Sequence, residues 1–231
     1  MKKIMARDIK AYLTISSLFI LLAGCGTSRK ASSGDESGLN DHGGKIISEA
    51  YLFDAKIKRE GKVNSFRLEI FQTDSALGLG GRGYLGKGVL KGRVTPDSFL
   101  VYLPTANEYI EEAVDEFLST LDCAGGVADF NILNLFTDLP DPEGFGEGIN
   151  IYPNYNDGEE PIFEITANGC PWLMELTYDR RESGWRIRDL SFTDGEDLTF
   201  EARRREYRAR TGVKEVKFRV KIPGSAIKIK P

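Results

Sequence analysis

Glycines crowd residues 78–88, GLGGRGYLGKG, in a spacing that matches two nucleotide-binding motifs. GLGGRG fits G-x-G-x-x-G, and GRGYLGK fits G-x-x-x-x-G-K. Both motifs bind phosphate because a tight turn delivers the chain to a helix N-terminus. Here β-branched residues and Pro96 follow, and Gly88 occupies the position of the Mg²⁺-binding hydroxyl. The stretch therefore predicts a bent strand pair and no nucleotide site.

Few other residues could do catalytic chemistry. His42 is the only histidine and lies in a polar N-terminal stretch, which argues against His-activated nucleophiles and His-based zinc sites. DGEE and DGED lack the D-x-D-x-D-G spacing of a calcium loop. Acidic pairs leave a paired-carboxylate hydrolase open, although such residues are usually solvated surface or helix caps; they are Asp115 and Glu116, Glu159 and Glu160, and Glu196 and Asp197. We expect a protein without enzymatic activity, metal or cofactor.

The N-terminal residues 1–24 predict a secretory signal peptide. A basic start precedes an apolar run of about a dozen residues, Ala11 to Leu22, which is short for a membrane span. The run ends in Leu-Ala-Gly-Cys, which resembles a bacterial lipobox. Cys25 would become the mature N-terminus and carry acyl chains such as palmitate. The alternative is an uncleaved anchor helix. Gly26 follows instead of Asp, which favours the periplasmic face of the outer membrane.

Composition divides the remaining chain into a tether and one domain. Loss of residues 1–24 removes four basic and one acidic side chain and leaves 27 Lys and Arg against 34 Asp and Glu, a formal charge of −7. A chain this acidic is a poor candidate for nucleic-acid binding. Residues 25–45 are rich in Gly, Ser and charge, which predicts a flexible tether of about 25 Å root-mean-square reach. Residues 46–231 suffice for a single domain, and we expect a monomer.

Two cysteines remain in that domain, Cys123 and Cys170. In an oxidising compartment an even pair can form a disulfide. Two buried free thiols are the alternative.

Alternation with a period of two predicts a mainly antiparallel sheet of about ten or eleven strands. The alternating sets are Tyr51, Phe53, Ala55 and Ile57; Phe66, Leu68 and Ile70; Trp172, Met174, Leu176 and Tyr178; and Val216, Phe218, Val220 and Ile222. Two helices interrupt this pattern. Val114, Phe117, Leu118 and Leu121 form one apolar face, and a second apolar helix over residues 130–136 follows Asp129 as its cap.

The order and pattern of these segments over most of the chain resemble the LolA/LolB-like superfamily of lipoprotein carriers and receptors, nearer to LolB. The stretches that carry the resemblance are the strand 66–71, VTPDSFLVYLPTANEYIEEAVDEF (94–117), FNILNLFTDLPDP (130–142) and WLMELTYDRRESGWRIRDLSFTDGEDLTFEAR (172–203). The tether leads directly into a strand, where the carriers usually place a helix, and the C-terminal segment is longer than in LolB.

This resemblance implies an incomplete antiparallel β-barrel with a short helical lid over an apolar cavity. The cavity would receive acyl chains of a lipid or lipoprotein, delivered by a periplasmic carrier protein. In this sequence the predicted walls of the cavity come from the alternating strands and the two helices given above; they are Phe66, Leu68, Ile70, Phe117, Leu133, Phe136, Trp172, Met174 and Leu176. A protruding loop would contact the membrane through Leu77, with Leu79 as a second candidate.

Two questions stay open at the level of sequence. The half-barrel could instead be a docking module of an envelope assembly that carries no cargo. Five arginines between 203 and 210 could contact anionic headgroups or an acidic partner, or could be a charged strand edge that discourages aggregation.

Overall fold

The computed structural model describes residues 45–113, 132–141, 148–155 and 160–229, and these form one large sheet and a short helix. The strands are β1 (Lys45–Arg59), β2 (Lys62–Gln72), β3 (Leu77–Arg82), β4 (Gly88–Val94), β5 (Ser98–Leu103), β6 (Glu108–Ala113), β7 (Ile149–Asn154), β8 (Ile162–Ala167), β9 (Leu173–Arg181), β10 (Gly184–Thr193), β11 (Leu198–Lys214) and β12 (Ile227–Lys228). Helix α1 is Ile132–Thr137, and two 3₁₀ turns are Tyr84–Gly86 and Glu215–Lys217.

The described strands form one twelve-stranded sheet in the order β12-β6-β5-β4-β3-β2-β1-β11-β10-β9-β8-β7. Neighbours pair antiparallel except β12, which pairs parallel with β6. Most neighbours are consecutive in the chain, and the central ladder joins β1 to β11. Strands β7 and β12 lie at opposite edges, so the described sheet does not close. The expected mainly antiparallel, incomplete β-barrel is confirmed.

Alternation of apolar residues explains which sheet face is buried. Tyr51, Phe53, Ala55 and Ile57 of β1 are each at most 5% exposed, while Lys56 and Lys58, on either side of Ile57, are exposed. Equivalent positions on the neighbouring strands join them in one apolar core, on which α1 packs. Trp172, Met174, Leu176 and Tyr178 belong to this core, as the sequence predicts.

The strand predicted over Val216–Ile222 is wrong. β11 ends at Lys214 and the chain turns through a 3₁₀ segment, in which the amides of Phe218 and Arg219 donate to the carbonyls of Glu215 and Val216, three residues before them. Glu215 and Arg219 form an ion pair at i, i+4, a spacing that suits a helical turn and not a strand. The first predicted helix, from Val114 to Leu121, lies outside the described residues.

Candidate functional site

An apolar cavity of about 20 Å³ lies between the concave face of the sheet and helix α1. Every residue that lines it is hydrophobic: Phe53, Leu68, Ile70, Leu77, Leu79, Val94, Ile132, Phe136, Leu190, Phe200 and Ala202. Its size corresponds to about one water molecule. No polar group lines the cavity, so its surroundings suit apolar groups and not a buried water molecule.

Strand alternation and one helix face position these walls. Inward-facing residues of β1, β2, β3, β4, β10 and β11 supply the floor, because every second side chain of a strand points to the same face. Ile132 and Phe136 are four residues apart on α1 and cover the floor from above. The helix therefore acts as a cover whose apolar underside completes the cavity.

Three buried side chains attach α1 to the sheet through the helix carbonyls. Tyr178 donates from its hydroxyl to the Leu135 carbonyl at 3.0 Å, and Gln72 donates from Nε2 to the Leu133 carbonyl at 3.0 Å. The Tyr51 hydroxyl lies 2.8 Å from the Phe136 carbonyl oxygen and 2.7 Å from Oε2 of Glu49, and shares one proton between them. The carbonyls of Leu135 and Phe136 belong to the last turn and have no intrahelical partner, so the two tyrosines satisfy them. Gln72 adds a bond near the start of the helix, and the three side chains together hold it on the sheet.

Burial keeps both tyrosines in their donating form. It raises the pKa of Tyr178 well above its ordinary value. Burial, together with the neighbouring Glu49 carboxylate, also raises the pKa of Tyr51. The bonds from the two hydroxyls to α1 are therefore independent of pH across the physiological range.

Glu49 and Arg186 form a bidentate ion pair next to Tyr51. Arg186 donates from Nε and Nη2 to the two Glu49 oxygens at 2.7 and 2.6 Å. Burial alone would raise the pKa of Glu49, but hydrogen bonds from Arg186 and Tyr51 lower it below its ordinary value. The same pairing raises the pKa of Arg186 in spite of its burial, so the pair is fully ionised at neutral pH.

The structure places the predicted cavity residues in two groups. Leu68, Ile70 and Phe136 line the cavity. Four others are buried in the same core but do not line the cavity: Leu133, Trp172, Met174 and Leu176. Phe66 is half-buried and packs against that core. Phe117 lies outside the described residues.

The prediction that Leu77 and Leu79 form a membrane-contact loop is wrong. Both belong to β3, are 1% and 4% exposed, and line the cavity. Their strand pairs with β2 and β4, so alternation turns both leucines to the concave face. The exposed apolar residues of this glycine-rich stretch lie at its tip, where Tyr84 is 89% and Leu85 is 83% exposed.

The nucleotide-loop motifs in the same stretch do not lead into a helix, as the sequence predicts. β4 starts at Gly88 immediately after the hairpin tip. Leu85 has a φ of 65° and Gly86 a φ of 75°, so both adopt the left-handed conformation of a tight turn.

The cysteine predictions fall partly on described residues. Cys170 is disulfide-bonded and packs against the core. Its expected partner Cys123 lies outside the described residues, as do Cys25 and His42.

No cluster of three or more His, Cys, Asp or Glu suited to a metal ion occurs among the residues that the structure describes. Within the same ranges, no helix has the length and apolarity needed to cross a membrane.

Sequence reasoning missed the three residues that attach the helix. Gln72 occupies an inward position in line with Leu68 and Ile70, and a polar side chain on a buried face needs a partner. Tyr51 and Tyr178 follow the apolar alternation, which predicts only that they lie in the core. The one feature of the sequence that indicates such an attachment is Gln72, a polar amide at a position where the alternation predicts an apolar side chain.

Comparisons with known proteins give low similarity throughout. No protein-family model matches the chain, and no curated protein matches it. Among solved structures, a DUF1329 family protein from Desulfovibrio piger is 12% identical with a TM-score of 0.41, and the match covers 78% of this chain and 91% of that one. An uncharacterized conserved protein from Thermus thermophilus is 11% identical with a TM-score of 0.39, covering 77% and 89%.

A third solved structure, from Vibrio parahaemolyticus, is a domain assigned to outer membrane lipoprotein sorting. It is 13% identical with a TM-score of 0.40, and the match covers 74% of this chain and 89% of that domain. TM-scores near 0.4 at such identities are too low to carry an inference about family or function.

Proposed function

We propose that this protein is a cell-envelope lipoprotein that binds the acyl chains of a lipid or lipoprotein between the concave sheet face and helix α1. The observation that supports this proposal is the wholly apolar cavity beneath a helix of only six residues. The proposed activity is binding and transfer, and it needs no catalytic group, metal or cofactor.

Acyl-chain binding requires α1 to move, because a cavity of about 20 Å³ is too small for a hydrocarbon chain. Opening breaks the three hydrogen bonds to the helix, each of which stabilises by about 0.5–1.5 kcal/mol. Burial of a methylene contributes about 0.8 kcal/mol, so a sixteen-carbon chain contributes roughly 12 kcal/mol before ordering costs. Opening also removes Ile132, Leu133, Leu135 and Phe136 from the core, at about 1.5–3 kcal/mol each if they become exposed. The proposal therefore requires these side chains to pack on the bound acyl chain.

The lipobox supports a location for this activity. We propose that Cys25 carries the acyl anchor and holds the domain at the periplasmic face of the outer membrane, where a periplasmic carrier protein could deliver cargo. A fully extended tether of twenty residues spans roughly 65–70 Å, so the domain can present different ends to the membrane.

Tyr84 and Leu85 supply the proposed membrane contact in place of Leu77 and Leu79. Both project from the β3–β4 hairpin and are more than 80% exposed. Exposed Arg82 and Lys87 flank them. An aromatic and an aliphatic side chain between cations suit the boundary between headgroups and acyl chains.

The alternative function, a docking module that carries no cargo, is favoured by the small volume of the closed cavity, since a packed half-barrel needs no cargo to be stable.

Lipid analysis separates the two functions. The purified protein is examined by native mass spectrometry for co-purifying lipid and is titrated with a fluorescent fatty acid. The carrier function predicts one acyl-bearing molecule bound per chain.

Tyr178→Phe tests the role of the helix. It removes the bond to the Leu135 carbonyl, lowers the cost of opening by about 1 kcal/mol and should tighten fatty-acid binding about fivefold. Tyr102→Phe is the matched control, because its hydroxyl donates to Asn107 Oδ1 at 3.2 Å, away from the helix. Unchanged affinity in Tyr178→Phe would exclude α1 as the cover. Absence of bound lipid in wild type and variant alike would leave the docking function.

A further inference from the structure

A cleft opens in the sheet where strands β10 and β11 separate. Their ladder covers only Asp189–Thr193 and Thr199–Arg203. Beyond it, β11 continues to Lys214 paired with β1, while β10 runs back to Gly184 paired with β9. Side chains of the three strands fill and line the gap, which has a volume of about 410 Å³.

Arginine dominates the lining of this cleft. Six arginines line it against two carboxylates, and they come from three different strands; the arginines are Arg181, Arg188, Arg203, Arg204, Arg205 and Arg208. The chain as a whole has a formal charge of −4. Asp54, Glu160 and Asp189 pair with these arginines from just outside the lining, so six arginines face five carboxylates and the cleft is arginine-rich with a small positive excess.

Two β-bulges place arginines at the cleft. The register of β1 with β11 shifts so that Arg205 is the extra residue, and the register of β9 with β10 shifts so that Arg188 is the extra residue. A bulge redirects side chains and interrupts pairing, and bulges are frequent next to binding sites. Two bulges on the facing strands of one cleft indicate a built feature.

The base of the cleft is rigid. Arg204 has a side chain only 2% exposed, donates from Nη1 to the Ile187 carbonyl at 2.6 Å and pairs with Asp179. Its guanidinium lies 5.7 Å from the ring centre of Tyr207, and that of Arg186 lies 5.8 Å from the same ring centre. These contacts fix Arg204 and Tyr207 in place.

The arginines at the rim are exchangeable. The side chains of Arg203, Arg205 and Arg208 are 81%, 58% and 67% exposed, and their partners are Asp189, Asp54 and Glu206. Ion pairs at such exposure are weak because water and salt screen them. An incoming anion can therefore replace these carboxylates.

We propose that the cleft binds a phosphate-bearing anion, with Arg203, Arg205 and Arg208 as its ligand-binding residues. Guanidinium groups form forked, charge-assisted hydrogen bonds to both carboxylates and phosphates. These three arginines lie on β11, and Arg181 of β9 and Arg188 of β10 line the same cleft, so guanidinium groups surround it from several sides. A tetrahedral phosphate offers oxygens in several directions, while a carboxylate offers two in one plane. The arrangement therefore favours phosphate.

Two sources share this chemistry, a phospholipid headgroup and free phosphate. The lipid-anchored protein, held in a phosphate-free non-ionic detergent at about 20 mM salt to limit screening, is titrated by calorimetry with inorganic phosphate and with glycerophosphoglycerol. The second compound is a phospholipid headgroup without acyl chains, so its binding does not depend on the apolar cavity. Saturable binding of either supports the proposal, and the tighter ligand identifies the source.

Substitution of the rim arginines tests the site. The triple variant Arg203→Gln, Arg205→Gln, Arg208→Gln should bind about tenfold more weakly. The control Lys58→Gln, Lys91→Gln, Arg93→Gln removes the same charge from exposed positions elsewhere and should change affinity less than about twofold. If the triple variant fails to fold by circular dichroism, Arg208→Gln alone should weaken binding about threefold.

Three results would overturn the proposal. They are absence of saturable binding, an equal loss of affinity in the control variant, and tighter binding of a hexaglutamate peptide than of either phosphate compound. The last result would assign the cleft to an acidic polypeptide.

Discussion

Gly78 is the residue whose size matters most on the convex face of β3. A Cβ at this position would lie 2.6 Å from the Lys217 carbonyl oxygen and 3.1 Å from the Phe218 ring. The 3₁₀ turn after β11 therefore packs directly on the β3 backbone. Phe218, Val213 and Ala76 form a small separate core at this contact.

Gly78→Ala should lower the free energy of unfolding by about 1–3 kcal/mol, because the backbone of the turn has to move away. Gly80→Ala is the matched control two residues along the same strand face. Its Cβ would meet only Glu69, at 3.8 Å, so its stability should stay within about 0.5 kcal/mol or rise slightly. Urea unfolding of both variants measures the difference. Equal stabilities would show that the turn does not depend on Gly78.

The sequence predicts that this stretch is a bent strand pair but not where its strands and its turn lie. Gly78 and Gly80 lie on the convex face of β3, whereas Gly92 pairs with Leu79 and lies on the concave face. The sequence predicts a protruding loop at Leu77, but the strand begins there and the tip lies at Tyr84 and Leu85. Glycine density marks bends, but which glycines lie in the turn depends on pairing with β2 and β4. Pairing is a long-range property that local spacing does not contain.

The β3–β4 hairpin is the element that the proposed function brings to the membrane. Its tip holds Tyr84 and Leu85 outside the sheet, and Leu85 adopts a left-handed φ of 65° that aliphatic residues rarely take. This exposed leucine is one of the two side chains through which the proposed function places the hairpin against the membrane.

Tyr84→Trp tests this contact by fluorescence. In vesicles that contain brominated lipid, the indole introduced at the tip should be quenched and its emission shifted to the blue, because it lies at the boundary of headgroups and acyl chains. Tyr152→Trp is the control, since Tyr152 is 56% exposed on edge strand β7 next to Glu164 and Glu175 on the convex face. Equal quenching of both variants, or of neither, would contradict a contact specific to the hairpin.

Helix α1 shows what periodicity predicts at the scale of an element. Apolar residues over 130–136 predict a short helix buried on most sides, and Ile132–Thr137 is such a helix. Its attachment through Tyr178 and Gln72 was not predicted, since both lie more than forty residues away along the chain. The alternating residues Val216–Ile222 show the opposite error, because no neighbouring strand pairs with them among the described residues.

The whole sheet consists of two halves joined along β1 and β11. β2 to β6 extend from β1, and β7 to β10 extend from β11. Glu49 of β1 reaches across β11 to Arg186 of β10 and so connects the halves a second time. The same carboxylate accepts from Tyr51, whose hydroxyl also reaches α1. This pair therefore couples the halves of the sheet to the helix over the cavity.

Glu49→Gln should lower the free energy of unfolding at neutral pH by about 1.5–3 kcal/mol, because a charged hydrogen bond to a buried arginine is lost. The pKa of Glu49 is lowered in the folded protein, so its stabilisation is complete above its ordinary value of 4.5 and is lost as the pH falls through the folded value. The free energies of unfolding of wild type and variant should therefore differ at pH 7 and become equal in acid.

Urea unfolding at a series of pH values measures this difference, and Glu206→Gln, which removes an exposed carboxylate, is the control. A difference that stays constant from pH 7 down to about pH 3 would mean that ionisation of Glu49 does not hold the halves together.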